Sequence, residues 1–185
     1  MAMPIVVPRY TIRDLDSFPD DGCRYELLDG ELLVTPAPAP LHQLVIARIV
    51  RALTGYLDPD LATVFSPGSL EVEPKVHLEP DILVVPARAL AAGIGLETRW
   101  TAIREWWLAV EVSGEGSTPY DRDYKSPAYL TLGVPEVWRV DLRARCVFIS
   151  RPGSAEVSET EQVAWHPPEH RNPLLLSIPP LFASW

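Results

Sequence analysis

The sequence predicts a single α/β domain in which short strands surround one long amphipathic helix, and three stretches carry that expectation. Asp29-Gly30 stands between the apolar-bearing runs RYELL and ELLV, the strongest short-range signal for a β-hairpin with a tight primed turn. LHQLVIARIVRALTGYL places Leu41, Leu44, Val45, Ile49, Leu53 and Leu57 near helical spacing. DILVV and WWLAVEVS are apolar runs of the length of buried strands. With 185 residues, 47% hydrophobic and 22% charged, the chain can bury an adequate core and leaves little room for a second domain.

The elements follow in order. Two strands flank Asp29-Gly30, and TPAPAP (35–40) cannot continue their ladder, so it reads as an extended connector. The amphipathic helix stops around Gly55 and Pro59. Strands are expected around 62–65, 70–76 and 81–85, followed by a helical turn in PARALAAG. A strand over 106–113 comes next. In STPYDRDYKSPAYLTLGVPEVWRVD, two windings are open: Ser126 as N-cap with Pro127 in the first turn and Lys125 just outside, or a distorted helix starting near Asp121. Gly133 ends that helix, 135–141 forms a strand and CVFIS another after a turn around Arg143. EVSETEQVAW reads as one late strand, and NPLLLSIPPLFASW as an apolar segment packing on the body.

Composition excludes some classes. No apolar run is long enough to span a bilayer, and MAMPIVVPRY lacks the parts of a signal peptide, so the expected address is the cytoplasm, with no membrane partner. Cys23 and Cys146 have no C-x-x-C spacing and read as ordinary thiols. Sixteen Lys and Arg against 25 Asp and Glu give a formal charge of −9, a field that repels polyanions. Binding DNA then requires a local basic face, a dimer that assembles one, or divalent ions bridging acids to phosphates.

Two acids stand out. Asp81 lies at the mouth of an apolar strand in EPDILVV, and Glu111 interrupts the apolar run of AVEVS. Taken singly, each has an ordinary explanation, a turn cap for Asp81 and an arginine partner for Glu111. Taken together, two strand-borne carboxylates converging on one cation explain each other. HPPEH (166–170) mimics the H-x-x-E-H spacing of zinc enzymes, but consecutive prolines argue for a loop and a chance match. Trp106, Trp107 and Trp138 are expected in the core rather than stacked on bases, and Arg139, Arg143 and Arg145 as scattered surface charges rather than a phosphate-tracking patch.

RYELLDGELLVTPAP, LHQ, EPDILVV, AVEVS, DRDYK, AYLTLGVPEVWRVD and LSIPPLF, in this order and spacing over about 24–182, resemble the PD-(D/E)XK nuclease superfamily, and within it the Uma-two family of endonuclease-like proteins. The resemblance implies a restriction-endonuclease-like fold, a central mixed β-sheet flanked by helices. It implies Asp81, Glu111 and the backbone carbonyl of Val112 as ligands of Mg2+ or Mn2+. The superfamily pattern places a lysine two residues after the second acid, where this chain has Ser113; in this branch the following helix supplies it, which maps to Lys125. Glu31, His42 and Ser113 are implied as residues bordering the site.

The function expected from that resemblance is metal-dependent hydrolysis of DNA phosphodiester bonds, with RNA left open as a substrate. A homo-oligomer, dimer or higher, is expected because one centre cuts one strand. The alternatives are a nuclease fold with weak or lost chemistry that binds nucleic acid or protein, and a hydrolase of another phosphoester or an assembly protein.

Overall fold

The structure, a computed structural model, describes residues 9–91, 93–114 and 117–183, and only the backbone of Thr118. Glu115 and Gly116 of SGEGST, and the first residues of the amino-terminal segment, lie outside these.

The hairpin forms as its turn residues require. Strands β1 (Arg24–Leu28) and β2 (Glu31–Thr35) pair antiparallel in the register Leu28↔Glu31, leaving a two-residue loop. Asp29 and Gly30 have φ of 51° and 81°, the left-handed pair that a primed turn demands. Helix α1 is short (Ile12–Leu15), and α2 spans Pro40–Tyr56, with Pro40 in the first turn where its missing N–H costs nothing. Val45, Ile46, Ile49 and Leu53 form its buried stripe.

Strands β3 (Ala62–Phe65), β4 (Leu70–Val72), β5 (Val76–Leu78), β6 (Ile82–Pro86), β7 (Leu108–Ser113), β8 (Val137–Asp141), β9 (Cys146–Ser150) and β10 (Val157–Glu159) complete two sheets. A mixed six-stranded sheet has the order β10-β9-β8-β7-β6-β3, and a four-stranded antiparallel one β2-β1-β5-β4. Only the β7–β8 pair is parallel. Its crossover carries α3 (Thr118–Tyr120), a π-helical segment (Asp121–Lys125) and α4 (Ser126–Thr131).

Sheet alternation divides the core. Ile82, Val84, Leu108, Val110 and Val112 face α2, with Trp107, Trp138 and Trp165. Leu83, Val85 and Ala109 face the other way, with Trp106, Tyr129 and the small-sheet residues Leu70 and Leu78. Side chains two apart share a face, so Asp81 and Glu111 fall on the second one, beneath α4 and beside the small sheet. The three tryptophans named from the sequence are all core residues, 0–5% exposed.

Several boundaries differ from expectation. The 70–76 strand is broken at Glu73-Pro74-Lys75, where proline withdraws a ladder donor, giving β4 and β5. EVSETEQVAW splits into β10 and β11 (Gln162–Trp165), which belong to different sheets. The apolar tail supplies β12 (Leu174–Ser177), paired with β11, and a 3-10 turn over Pro179–Phe182 that packs into the core. HPPEH is a loop, its Glu169 ion-paired with Arg88. No helix among the described residues is long and apolar enough to cross a membrane.

Candidate active site

The register of the central strands brings the two acids together. β6 pairs β7 antiparallel through Ile82↔Val110, and one step further along the same register Asp81 stands opposite Glu111. Asp81 Oδ2 accepts the Val112 N–H at 2.8 Å, which ties the strand mouth to β7. His42, in the first turn of α2, lies 3.1 Å from the same oxygen, and Arg24 Nη1 donates to Oδ1 at 3.1 Å. These partners are what make a carboxylate tolerable at an apolar strand. Burial alone would raise the Asp81 pKa, but the bonds from His42 and Val112 and the nearby Arg24 charge outweigh it and hold Asp81 below the ordinary carboxylate range.

Lys125 comes from the crossover helix, and the distorted alternative is the one found. Pro127 lacks an N–H and its ring crowds a preceding carbonyl in a regular α-helix, a conflict that the π turn over Asp121–Lys125 accommodates. Ser126 is no N-cap; its hydroxyl donates to the Asp121 carbonyl at 2.7 Å. Asp121, Lys125 and Tyr129, spaced four apart, then form one buried stripe over the sheet. Lys125 Nζ lies 2.6 Å from Glu26 Oε2, 3.3 Å from Glu111 Oε1 and 3.8 Å from Asp121 Oδ1.

Tyr129 donates to Glu111 Oε1 at 2.5 Å. Ser113 donates its hydroxyl to Asp121 Oδ2 at 2.8 Å. Four carboxylates, Glu26, Asp81, Glu111 and Asp121, thus face the fixed cations Lys125 and Arg24. Glu111 is pushed well above the usual range by complete burial and by the Asp121, Asp81 and Glu26 charges, against the pull of Lys125. Asp121 is raised by burial despite Lys125 and Ser113. Lys125 itself is raised, because its three carboxylate neighbours outweigh the burial that alone would lower it.

Asp81, Glu111, Val112, His42, Asp121 and Lys125 line one cavity of about 280 Å3. Among the described residues no group of three or more His, Cys, Asp or Glu is arranged to hold a metal ion. Mg2+, however, is commonly held by one or two carboxylates while it keeps several waters, and the surplus of acid around Glu111 is what a divalent cation offsets. Asp81 and Glu111 fit such an ion.

Glu31 does not join them. It is exposed at the turn end of the hairpin, paired with Arg9 at 3.3 Å, whereas the cavity is lined by Arg24 and Thr35 at the other end, about 13 Å along the strand. The hairpin acid that does reach the site is Glu26, fully buried, with Oε1 accepting the Glu79 N–H at 2.7 Å. Glu26, Arg24, Asp121 and Tyr129 were not singled out from the sequence. For Asp121 and Tyr129 a signal was present, the four-residue spacing to Lys125. Arg139 is buried between Phe148 and Glu156, while Arg143 and Arg145 are exposed, so the three form no common patch.

Comparison with known proteins agrees with this geometry at the level of fold. A family model described as "Putative restriction endonuclease" matches residues 12–184. Among solved structures, "a putative nuclease belonging to DUF820 from Anabaena variabilis ATCC 29413" is similar with a TM-score of 0.76 and 19% identity, over 93% of this chain and 97% of that one. No curated protein matches the chain.

Proposed function

The chain belongs to the Uma2 family, described as "Putative restriction endonuclease", and from that premise we propose that it is a metal-dependent endonuclease hydrolysing DNA phosphodiester bonds. The observation that supports this reading is the meeting of Asp81, Glu111 and Lys125, drawn from three separate chain segments, in one cavity. Mg2+ or Mn2+, held by Asp81, Glu111 and the Val112 carbonyl, would polarise the phosphate and acidify a water.

The chain's own groups do the rest. Asp81 remains ionised because His42, Arg24 and the Val112 N–H favour its charged form. Tyr129 and Lys125 fix Glu111 Oε1 from one side. The Lys125 ammonium, held by Glu26, orients the attacking water and offsets charge developing on the phosphate. A symmetric dimer acting in the cytoplasm, one centre for each strand of a duplex, is part of the same proposal; light scattering of the purified protein checks the dimer.

Cleavage of supercoiled plasmid by wild type, Asp81→Ala and Glu111→Ala, each with Mg2+, Mn2+ or EDTA, tests the reading. Activity that needs metal and disappears in both variants is expected. Equal nicking by all three proteins would overturn the assignment of Asp81 and Glu111, and none by wild type would leave a nuclease fold without the chemistry.

A further inference from the structure

Arg24 is the cation of the site to which the proposed mechanism gives no contact with substrate. Its guanidinium is anchored through two of its three nitrogens: Nη1 donates to the Glu79 carbonyl at 2.9 Å and to Asp81 Oδ1 at 3.1 Å, and Nε lies 3.5 Å from Glu79 Oε2. Nη2 carries two more donors, and they make no hydrogen bond among the described residues. Because the guanidinium is planar, fixing Nη1 and Nε also fixes Nη2. Nη2 is thereby held in place with its two N–H donors available to a ligand.

Arg24 lines both the cavity of Asp81 and Glu111 and a second one of about 500 Å3, whose walls include Arg99, Trp100 and His77 together with Asp16, Glu71 and Glu79. Of the side chains common to the two, Cys23, Arg24 and Glu79, it is the one cation. Asp81 Oδ2 already accepts from Val112 and pairs with His42, whereas among the described residues Oδ1 accepts a hydrogen bond from Arg24 alone and keeps a lone pair for a cation. A phosphate attracted to such a cation lies beside the guanidinium.

We infer that Arg24 is a catalytic residue that donates through Nη2 to a non-bridging oxygen of the scissile phosphodiester, with Asp81 and Glu79 holding Nη1 and Nε. The inference rests on the nuclease reading and adds a contact to it. An acidic protein thereby gains a local cation where the polyanion must bend closest to four carboxylates.

The test uses Arg24→Lys, which keeps the charge but loses the fixed planar donors, and Arg24→Ala. Binding of a short fluorescein-labelled DNA duplex is followed by anisotropy in EDTA and in Ca2+ over a series of NaCl concentrations. Mn2+ affinity of the free protein is measured by calorimetry, folding by circular dichroism, and kcat and KM in Mg2+.

Arg24→Lys, folded and with unchanged Mn2+ affinity, is expected to lose roughly tenfold or more in DNA affinity and in kcat/KM. Arg24→Ala also lowers the salt slope of binding by about 0.9, one phosphate's worth of counterion release. DNA affinity in both variants within roughly twofold of wild type overturns the inference. So does a loss that only tracks weakened Mn2+ binding. Where wild type binds DNA without cutting it, the nuclease reading falls and the binding series still decides Arg24; where wild type neither binds nor cuts, both fall.

Discussion

Replacing Lys125 by methionine removes one buried charge while keeping the length of the side chain. Lys125 is 4% exposed and lies 2.6, 3.3 and 3.8 Å from Glu26, Glu111 and Asp121, so its loss leaves three buried carboxylates without their common cation. Breaking a buried ion pair from one side costs about 3–5 kcal/mol. The lower figure applies here, because Glu111, already raised in pKa, takes up a proton more easily than an ordinary carboxylate.

A loss of about 3 kcal/mol in a chain of this size lowers Tm by about 6–12 °C. The sign with pH follows from the same groups. Carboxylates raised in the folded state favour folding at low pH and lose that contribution as pH rises through their folded pKa, and removing Lys125 raises them further. The deficit of Lys125→Met is therefore larger at pH 7 than at pH 5. Differential scanning calorimetry in EDTA at both values measures it. Saturating Mn2+, which replaces the missing positive charge, narrows the gap; ligand at 100 times Kd is worth about 2.7 kcal/mol. A Tm change under roughly 2 °C at pH 7, or an equal deficit at both pH values, would refute the account of the site as a charge-balanced cluster.

Two further expectations concern the scaffold. His77, between Glu71 at 3.0 Å and Glu79 at 3.2 Å, is raised to about 9; burial alone would lower it, and the two hydrogen-bonded carboxylates more than offset that. Its contribution is complete below pH ~6.5 and disappears as pH rises through about 9, so wild type loses about 2–3 kcal/mol across that window. Urea unfolding of His77→Gln should be nearly flat over the same interval, and an unchanged wild-type slope in the variant would sink the assignment. At Gly68, behind the Asp81 strand, an added Cβ would lie 2.4 Å from Leu83 Cβ. Gly68→Ala should therefore cost about 1–3 kcal/mol, read as a lower urea midpoint, and wild-type stability would show that Leu83 yields freely.

What could be read from the chain was set by the range of the interaction involved. The Asp29-Gly30 turn and the stripe of α2 are local and were legible, as was the oddity of two acids in apolar strands. Glu26 was not, because Arg24 and Glu26 alternate with Tyr25 and Leu27 as on any half-exposed strand. Only the long-range pairing of β1 with β5, through Leu27↔His77, puts that face under the crossover helix. Glu31, similar in type and nearer the signal-bearing turn, was singled out although the strand carries it away from the cavity. Lys125 could be named but not placed, since the choice between an N-cap at Ser126 and a distorted helix depends on the sheet beneath it.

The π turn at Asp121–Lys125 makes the lysine unusually sensitive to chain length. A π turn is an α-helix carrying one extra residue, and one residue corresponds to about 100° of rotation about the helix axis. Deleting a single codon before Lys125 would let the helix rewind regularly while carrying the ammonium round its circumference, away from Glu111. Inserting one elsewhere in the helix could bring another side chain into its place. A cation mounted this way can migrate round the helix by slippage of the winding, without any residue changing identity.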